Sequence, residues 1–120
     1  MGENRTDQVD WRGAQVPVSQ RFDDPYYSLE NGWAEAEHVF VRGNALEHRL
    51  ASGFHIAELG FGTGLHLALL MSLWSGPGRV RYTSFEAFPM SPDDAETALS
   101  AFPQSADSLE PIIRLLAQPR

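Results

Sequence analysis

The stretch IAELGFGTGLHLALL, residues 56–70, places three glycines at alternate positions between two apolar runs. The run FHIAEL (54–59) predicts a short buried strand, and LHLALLMSLW (65–74) predicts a helix that other elements cover on several sides. The glycines between them predict a tight turn that can take positive φ and let a ligand lie against the main chain. A glycine-rich turn without any ligand is the alternative.

The elements that follow repeat this order. RVRYTSFE (79–86) predicts a second strand that also ends in an acid, and SPDDAETALSAF (91–102) predicts a helix with a serine cap and a proline at its first position. SLEPIIRLLAQ (108–118) predicts one more helix. Strand, glycine turn, helix, strand and helix together predict an α/β fold, specifically half of a doubly wound parallel sheet.

The N-terminal third has a different character. Residues 1–20 are polar and predict an irregular N-terminal extension, so we expect the folded domain to cover residues 21–120. RFDDPYYSLENG (21–32) has the composition of turns, and WAEAEHVFV (33–41) has apolar residues at helical spacing.

Composition limits the classes of function. The chain has 120 residues and a formal net charge of −7, which disfavours strong nucleic-acid binding by this chain alone. It contains no cysteine, and its four histidines show no paired spacing, so we expect no metal site. The absence of a signal-like apolar segment and of a membrane-length apolar run predicts a cytoplasmic protein without membrane association.

The glycine spacing separates two classes of cofactor. A dinucleotide fingerprint counted from Gly60 needs its third small residue at position 65, where the chain has leucine. The chain instead has E-x-G-x-G-x-G from Glu58 to Gly64. This pattern resembles the first motif of class I S-adenosylmethionine methyltransferases, and a fragment of a dinucleotide-binding oxidoreductase remains the alternative.

A second acid supports a nucleoside ligand. Glu86 ends the next predicted strand, 22 residues after Gly64, where a carboxylate can accept both ribose hydroxyls. Phe88 and Pro89 follow it and offer apolar faces that could border an adenine ring. A solvated glutamate at a strand end is the alternative.

Four stretches together resemble one family: FDDPYYS (22–28), HVFVRGN (38–44), ELGFGTGLH (58–66) and SFEAFPMSPDD (84–94). They are similar to the methyltransferase part of the MnmC-type enzymes, which make 5-methylaminomethyl-2-thiouridine at the tRNA wobble position. The resemblance runs from about Val16 to the C-terminus. It implies tRNA as partner, S-adenosylmethionine as cofactor and methylation of the amine of an aminomethyl group. Some members of this family carry a fused FAD-dependent oxidoreductase half.

The resemblance also implies roles for individual residues. The methionine part of the cofactor would be held by Glu58, Gly60, Phe61, Gly62, Thr63 and Gly64. Glu86 would hold the ribose, with Phe88 beside it. Asp23, Asp24, Tyr26 and Asn44 would lie near the active-site mouth, although a strap that packs on the sheet would explain these residues equally well.

The sequence departs from the family's pattern at two positions and in length. His66 stands where the family usually has asparagine, and Ala87 stands where lysine is common. The family's sheet continues past its second strand, and the acid near the transferred methyl group lies on the fourth. We therefore expect a truncated N-terminal half, with the catalytic residue beyond Arg120. We expect this chain alone to be inactive and either poorly folded or self-associated through an unpaired strand at 54–59. A non-catalytic remnant is the alternative.

Overall fold

The glycine-rich stretch joins a strand to a helix, as predicted. The computed structural model describes residues 6–12, 16–22, 24–26 and 32–118, with backbone only at Arg12, Asp24 and Pro25. Strand β4 (His55–Leu59) leads through the glycines into α3 (Leu65–Leu73). Strand β4 pairs in parallel with β5 (Arg81–Phe85), which follows α3 in the chain; Glu58 lies opposite Ser84 and Leu59 opposite Phe85.

Two further helices complete the C-terminal part. Helix α4 (Pro92–Leu99) begins at the predicted cap, where the Ser91 hydroxyl accepts a hydrogen bond from the Asp94 amide at 3.2 Å. A 3₁₀ turn (Pro103–Ser105) leads into α5 (Ala106–Leu116), which begins two residues earlier than predicted. Both predicted helices are confirmed.

The predicted helix over 33–41 is present in a modified form. A short α1 (Gly32–Ala36) continues into a π-helical stretch (Glu37–Arg42), and α2 (Leu46–Arg49) follows. The apolar spacing indicated a helix correctly. It carries no signal for the wider π turns, which occur frequently at functional sites.

The prediction that residues 1–20 are irregular is wrong for the described part of this segment. Strand β1 (Val9–Arg12) pairs antiparallel with β2 (Val16–Ser19), and β2 pairs with the two-residue β3 (Asp24–Pro25). The strands form because Pro17 and Val18 are buried, so the hairpin gains packing that its polar composition hides. This hairpin packs against the predicted domain.

The hydrophobic core lies between the helices and one face of the β4–β5 sheet. Its large members come from every α-helix, from the π-helical stretch, from β4 and from the segment after β5: Trp33, Phe40, Leu46, Ile56, Leu65, Leu69, Leu70, Met90, Leu99, Ile112 and Leu116. Helix α3 is covered over Leu65 to Leu70, whereas Met71 and Leu73 near its end are exposed. Coverage of α3 on several sides is thus confirmed for its first half only.

The other face of the sheet is open. His55, Ala57 and Leu59 on β4, and Arg81, Thr83 and Phe85 on β5, are exposed. Among the described residues β4 pairs only with β5, as the predicted open edge requires. The architecture is α/β with small sheets and is compatible with part of a doubly wound fold. Of the helices in the described ranges, none has the length and apolar character needed to cross a membrane.

Candidate cofactor-binding site

The three glycines after β4 all have positive φ, but they face different surroundings. Gly60 has φ +86°, and a side chain there would meet no atom within 4 Å. A Cβ at Gly64, the cap of α3, would lie 2.9 Å from Ile112 Cγ2 of α5. Gly64 therefore allows helix packing, whereas Gly60 leaves bare backbone facing open space.

Glu86 is fixed directly against this turn. One carboxylate oxygen accepts a hydrogen bond from the Gly62 amide at 3.1 Å, and the other accepts one from the Phe88 amide at 3.2 Å. The ends of β4 and β5 are adjacent because the strands are parallel, so the acid after one strand reaches the glycines after the other. The negative charge of Glu86 therefore lies at the glycine turn.

Glu58 points to the covered side of the sheet, and its carboxylate is engaged within the protein. One oxygen accepts hydrogen bonds from the Tyr82 hydroxyl and, at 3.1 Å, from the Ser84 hydroxyl. The other oxygen lies 2.7 Å from His66 Nδ1. The side chain of Glu58 is 9% exposed. Burial, the hydrogen bond to Glu58 and the Glu58 charge raise the pKa of Tyr82. Glu58 therefore links the end of β4 to β5 and to the start of α3.

The ring of His66 is held on its other side by an aromatic contact. It stacks in parallel on Phe40 of the π-helical stretch, with the ring centroids 4.5 Å apart. The π-helical stretch is thereby tied to the first turn of α3.

An open cavity of about 340 Å³ lies beside the glycine turn. Its lining comes from the turn, from Glu86, from Tyr26 and from the face of α1 and the π-helical stretch: Tyr26, Gly32, Glu35, Ala36, Val39, Gly60, Phe61, Gly62, Thr63, Leu65, His66 and Glu86. Among these described residues are two carboxylates, Glu35 and Glu86, and no arginine. The cavity therefore favours a ligand with positive charge over an anion.

Thr63 presents an unsatisfied polar atom in this lining. The residue is 2% exposed, and its hydroxyl oxygen has no hydrogen-bond partner among the described residues. Buried hydroxyls normally find a partner, and exceptions require an explanation. The oxygen itself has almost no accessible surface, so it lies beneath the cavity wall and does not by itself indicate a ligand.

Tyr26, from the N-terminal segment, packs over the glycine turn at Gly62. Its ring carbon Cδ1 lies 3.2 Å from the position that a Cβ on Gly62 would occupy. Its hydroxyl donates a hydrogen bond to Asp7. Burial, that hydrogen bond and the Asp7 charge raise the pKa of Tyr26, so its phenol stays neutral.

A second cavity of about 380 Å³ lies on the other side of Glu86. Its lining includes Phe61, Tyr82, Pro89 and Leu115. Glu86 and Phe61 face both cavities, so an elongated ligand could contact Glu86 from either side.

Phe88 lies apart from the two cavities. The Arg21 guanidinium lies over its ring at 3.8 Å, and the Phe22 ring meets it edge-on at 6.1 Å. The structure therefore places Phe88 against the hairpin segment and Pro89 in the lining of the second cavity.

The residues predicted near the active-site mouth do not all lie at one cavity. Tyr26 lines the first cavity, whereas Asn44 donates its amide to the Phe40 carbonyl at 2.8 Å and lines a third cavity of about 280 Å³ with Glu58 and His66. Asp23 lies outside the described residues, and Asp24 is described by its backbone in β3 alone. The structure thus brings Tyr26, but not Asn44, to the glycine turn.

Sequence reasoning missed three residues around this site. Glu35 and Val39 line the cavity, and their spacing of four residues on a predicted helix was a usable signal that they share one face. Asp7 carries no such signal, because its contacts depend on packing against residues far along the chain. Among the described residues, no cluster of histidine and acidic side chains could hold a metal ion.

The chain is similar to bifunctional proteins of tRNA modification. It is 40% identical over 106 residues to the tRNA 5-methylaminomethyl-2-thiouridine biosynthesis bifunctional protein MnmC of Acinetobacter baylyi, covering 78% of this chain and 17% of the relative. It is 38% identical over 116 residues to the protein of that name from Aeromonas hydrophila, covering 88% of this chain and 17% of the relative. It is 39% identical over 101 residues to the protein of that name from Leptospira interrogans, covering 75% of this chain and 15% of the relative.

This chain is a relative of the MnmC proteins. The predicted resemblance is confirmed, since the matches cover three quarters or more of the chain. The aligned part spans less than a fifth of the length of these MnmC relatives. No protein-family model matches the chain.

Proposed function

We propose that this chain forms the S-adenosylmethionine-binding part of a class I methyltransferase that modifies tRNA at the wobble uridine. Within this proposal, the cofactor occupies the cavity beside the glycine turn. The observation that carries it is the contact between Glu86 and the turn, which places a carboxylate and bare glycine backbone at one point. The names of the relatives support the tRNA substrate.

The surroundings of the turn favour this cofactor over a dinucleotide. A pyrophosphate needs free backbone amides and a positive environment at the glycine turn. Here the Gly62 amide donates to Glu86, and the cavity lining contains two carboxylates. S-adenosylmethionine carries a sulfonium, an ammonium and a single carboxylate, so it is a net cation and the acidic lining is favourable for it. The charge of the cavity and the leucine at position 65 both disfavour the oxidoreductase alternative.

The residues at the turn would divide the work of binding. Gly60 would allow the ligand to approach the main chain, and Thr63 would shape the wall of the cavity. Glu86 would accept the ribose hydroxyls. Glu58 would act indirectly, because its side chain is only 9% exposed, it is not part of the lining of the first cavity, and its oxygens are engaged with Tyr82, Ser84 and His66. When bound, S-adenosylmethionine supplies an electrophilic methyl group that an amine can accept.

The proposal assigns cofactor binding to this chain. A net charge of −7 is unfavourable for binding RNA phosphates, so we do not assign tRNA binding to this chain. We infer that the amine of an aminomethyl uridine is the methyl acceptor and that an FAD-dependent oxidoreductase domain or partner acts on the same tRNA position. Both inferences rest on the likeness to the MnmC relatives.

Titration of the chain with S-adenosylmethionine, followed by NMR, tests the cofactor. We expect Glu86→Ala to weaken binding by about 30- to 150-fold, because it removes charge-assisted acceptors worth about 2–3 kcal/mol. Glu110→Ala is the matched control, since Glu110 is an exposed acid on α5 that pairs with Arg114. It should leave the affinity unchanged.

Two results would contradict the proposal. Equal affinity in the native chain and in Glu86→Ala would remove Glu86 from the site. Binding of NADH without binding of S-adenosylmethionine would assign the cavity to a dinucleotide. Circular dichroism of each variant separates lost binding from lost folding.

A further inference from the structure

The N-terminal hairpin, formed by β1 and β2, is docked beside the candidate site. The Asp7 amide donates to the Pro89 carbonyl at 2.8 Å, and Asp7 forms an isolated parallel bridge with Met90. These contacts dock the start of the hairpin on the segment that follows Glu86. Arg21 and Phe22, beyond β2, pack on Phe88 of the same segment. The hairpin is thus attached to the end of β5 at two places.

Asp7 is the buried carboxylate of this contact. It is 3% exposed, and one of its oxygens accepts a hydrogen bond from the Ser19 hydroxyl at 2.9 Å. Its other oxygen accepts from the Tyr26 hydroxyl. A buried carboxylate is costly unless it is hydrogen-bonded in this way. The arrangement holds β2 and Tyr26 in a fixed relation to the end of β5.

Tyr26, whose hydroxyl is held by Asp7, places its ring in the lining of the first cavity. Its ring lies across Gly62 and forms part of the same lining as Glu35 and Glu86. An aromatic face attracts a cation, and the attraction increases where water is displaced. The ring and the two carboxylates therefore surround one space with groups that favour positive charge.

We propose that Asp7 is a positioning residue that fixes Tyr26 across the glycine turn, so that the Tyr26 ring selects a ligand carrying a positive charge. This inference rests on the proposed function, because it takes the sulfonium of S-adenosylmethionine as that charge. It extends the site into a segment that the sequence places outside the domain.

The ratio of two affinities tests this role. S-adenosylmethionine is a sulfonium and S-adenosylhomocysteine is a neutral thioether of nearly the same shape, so their ratio reports selection for charge. We expect Tyr26→Leu to lower the preference for the sulfonium by about fivefold. Asp7→Asn should lower it by about threefold, because the amide has a single acceptor oxygen where Asp7 accepts from the hydroxyls of both Ser19 and Tyr26, so the ring is held less firmly. A purely structural role would weaken both ligands equally and leave the ratio unchanged.

The hairpin offers a matched control and a second variant. Asp10→Asn changes an exposed acid of β1 that bonds Gln20 at 2.8 Å, and it should leave the ratio unchanged. Tyr26→Phe keeps the ring and removes only the bond to Asp7, so it should reproduce Asp7→Asn even if that variant folds poorly. The double variant Asp7→Asn/Tyr26→Phe should show no further loss, since both changes break one interaction.

The outcomes are distinguishable. Binding by the native chain with an unchanged ratio in Tyr26→Leu or Tyr26→Phe overturns this inference and leaves the proposed function standing. Additive losses in the double variant also overturn it. A native chain that binds neither compound contradicts the proposed function, and this inference with it.

Discussion

Two glycines flank β4 with nearly the same local geometry and very different surroundings. Gly53 precedes the strand and Gly60 follows it; each has φ +86° and no atom within 4 Å of where a Cβ would stand. Each also donates its amide across to the segment of β5, Gly53 to the Arg79 carbonyl at 2.6 Å and Gly60 to the Phe85 carbonyl at 2.8 Å.

The two glycines differ in the residues that surround them. Gly60 leads to two further glycines, to the start of a nine-residue helix and to the carboxylate of Glu86. Gly53 lies at the opposite end of the sheet, where the Arg49 guanidinium lies 5.4 Å from the Phe54 ring centroid. Positive φ at a glycine shows how the chain turns. A ligand site has to be argued from the charges and open space around that turn.

The largest effect should come from Gly62→Val. A Cβ at Gly62 would lie 3.2 Å from the Tyr26 ring, and φ +60° is strained for a β-branched residue. We expect the ring to be displaced and S-adenosylmethionine affinity to fall by more than about 100-fold, equivalent to about 2.7 kcal/mol. NMR titration measures the affinity and a thermal melt checks the fold. Normal binding by a folded Gly62→Val chain would reduce the glycines to a turn without a ligand.

A smaller difference in S-adenosylmethionine affinity should separate Gly60→Ala from Gly53→Ala, two substitutions at the same local geometry. Both substitutions place a methyl group in open space at the same φ, so each should destabilise the fold by about 1 kcal/mol. Only the methyl group at Gly60 enters the first cavity, and we expect it to weaken S-adenosylmethionine binding by about tenfold. Urea unfolding and titration of both variants provide the comparison. Equal affinities in the two variants would mean that the ends of β4 do not differ in function.

Local signals explain how much of the fold was predictable. The glycine run, the serine cap at Ser91 and the apolar spacing act within a few residues, and the strands and helices from 54 onward agree with the prediction to within two or three residues. The hairpin was missed because its strands have four residues each and form through pairing and burial. No local pattern in a polar segment reports that Pro17 will be buried.

The site was predictable to a similar extent. The proximity of Glu86 to the glycine turn follows from strand order, because parallel neighbours end at one edge. The contact between Asp7 and Tyr26 does not follow, since it needs the docking of Asp7 on Pro89, far along the chain. Asn44 was grouped with Tyr26, but its amide is fixed on the Phe40 carbonyl and faces a different cavity.

The smallest effect concerns the contacts made by the two ends of β4. Near its carboxyl end, Glu58 accepts a hydrogen bond from the Tyr82 hydroxyl on the covered face. At its amino end, His55 Nε2 lies 2.8 Å from Thr83 Oγ1 on the exposed face. Replacing Tyr82 by phenylalanine should lower stability near pH 8 by about 1 kcal/mol, whereas Thr83→Val should have almost no effect.

The pH dependence of unfolding separates this pair further. Burial and Glu58 raise the pKa of Tyr82, so the folded chain keeps its proton while the unfolded chain loses it above about pH 10. The folded state then binds more protons than the unfolded state, and stability falls as pH rises through that range. Tyr26 has a raised pKa as well, so Tyr82→Phe should remove roughly half of the fall and Thr83→Val none of it. Urea unfolding between about pH 8 and pH 11, followed by tryptophan fluorescence, measures these slopes. A slope in Tyr82→Phe as steep as that of the native chain would show that the folded state does not raise the pKa of Tyr82.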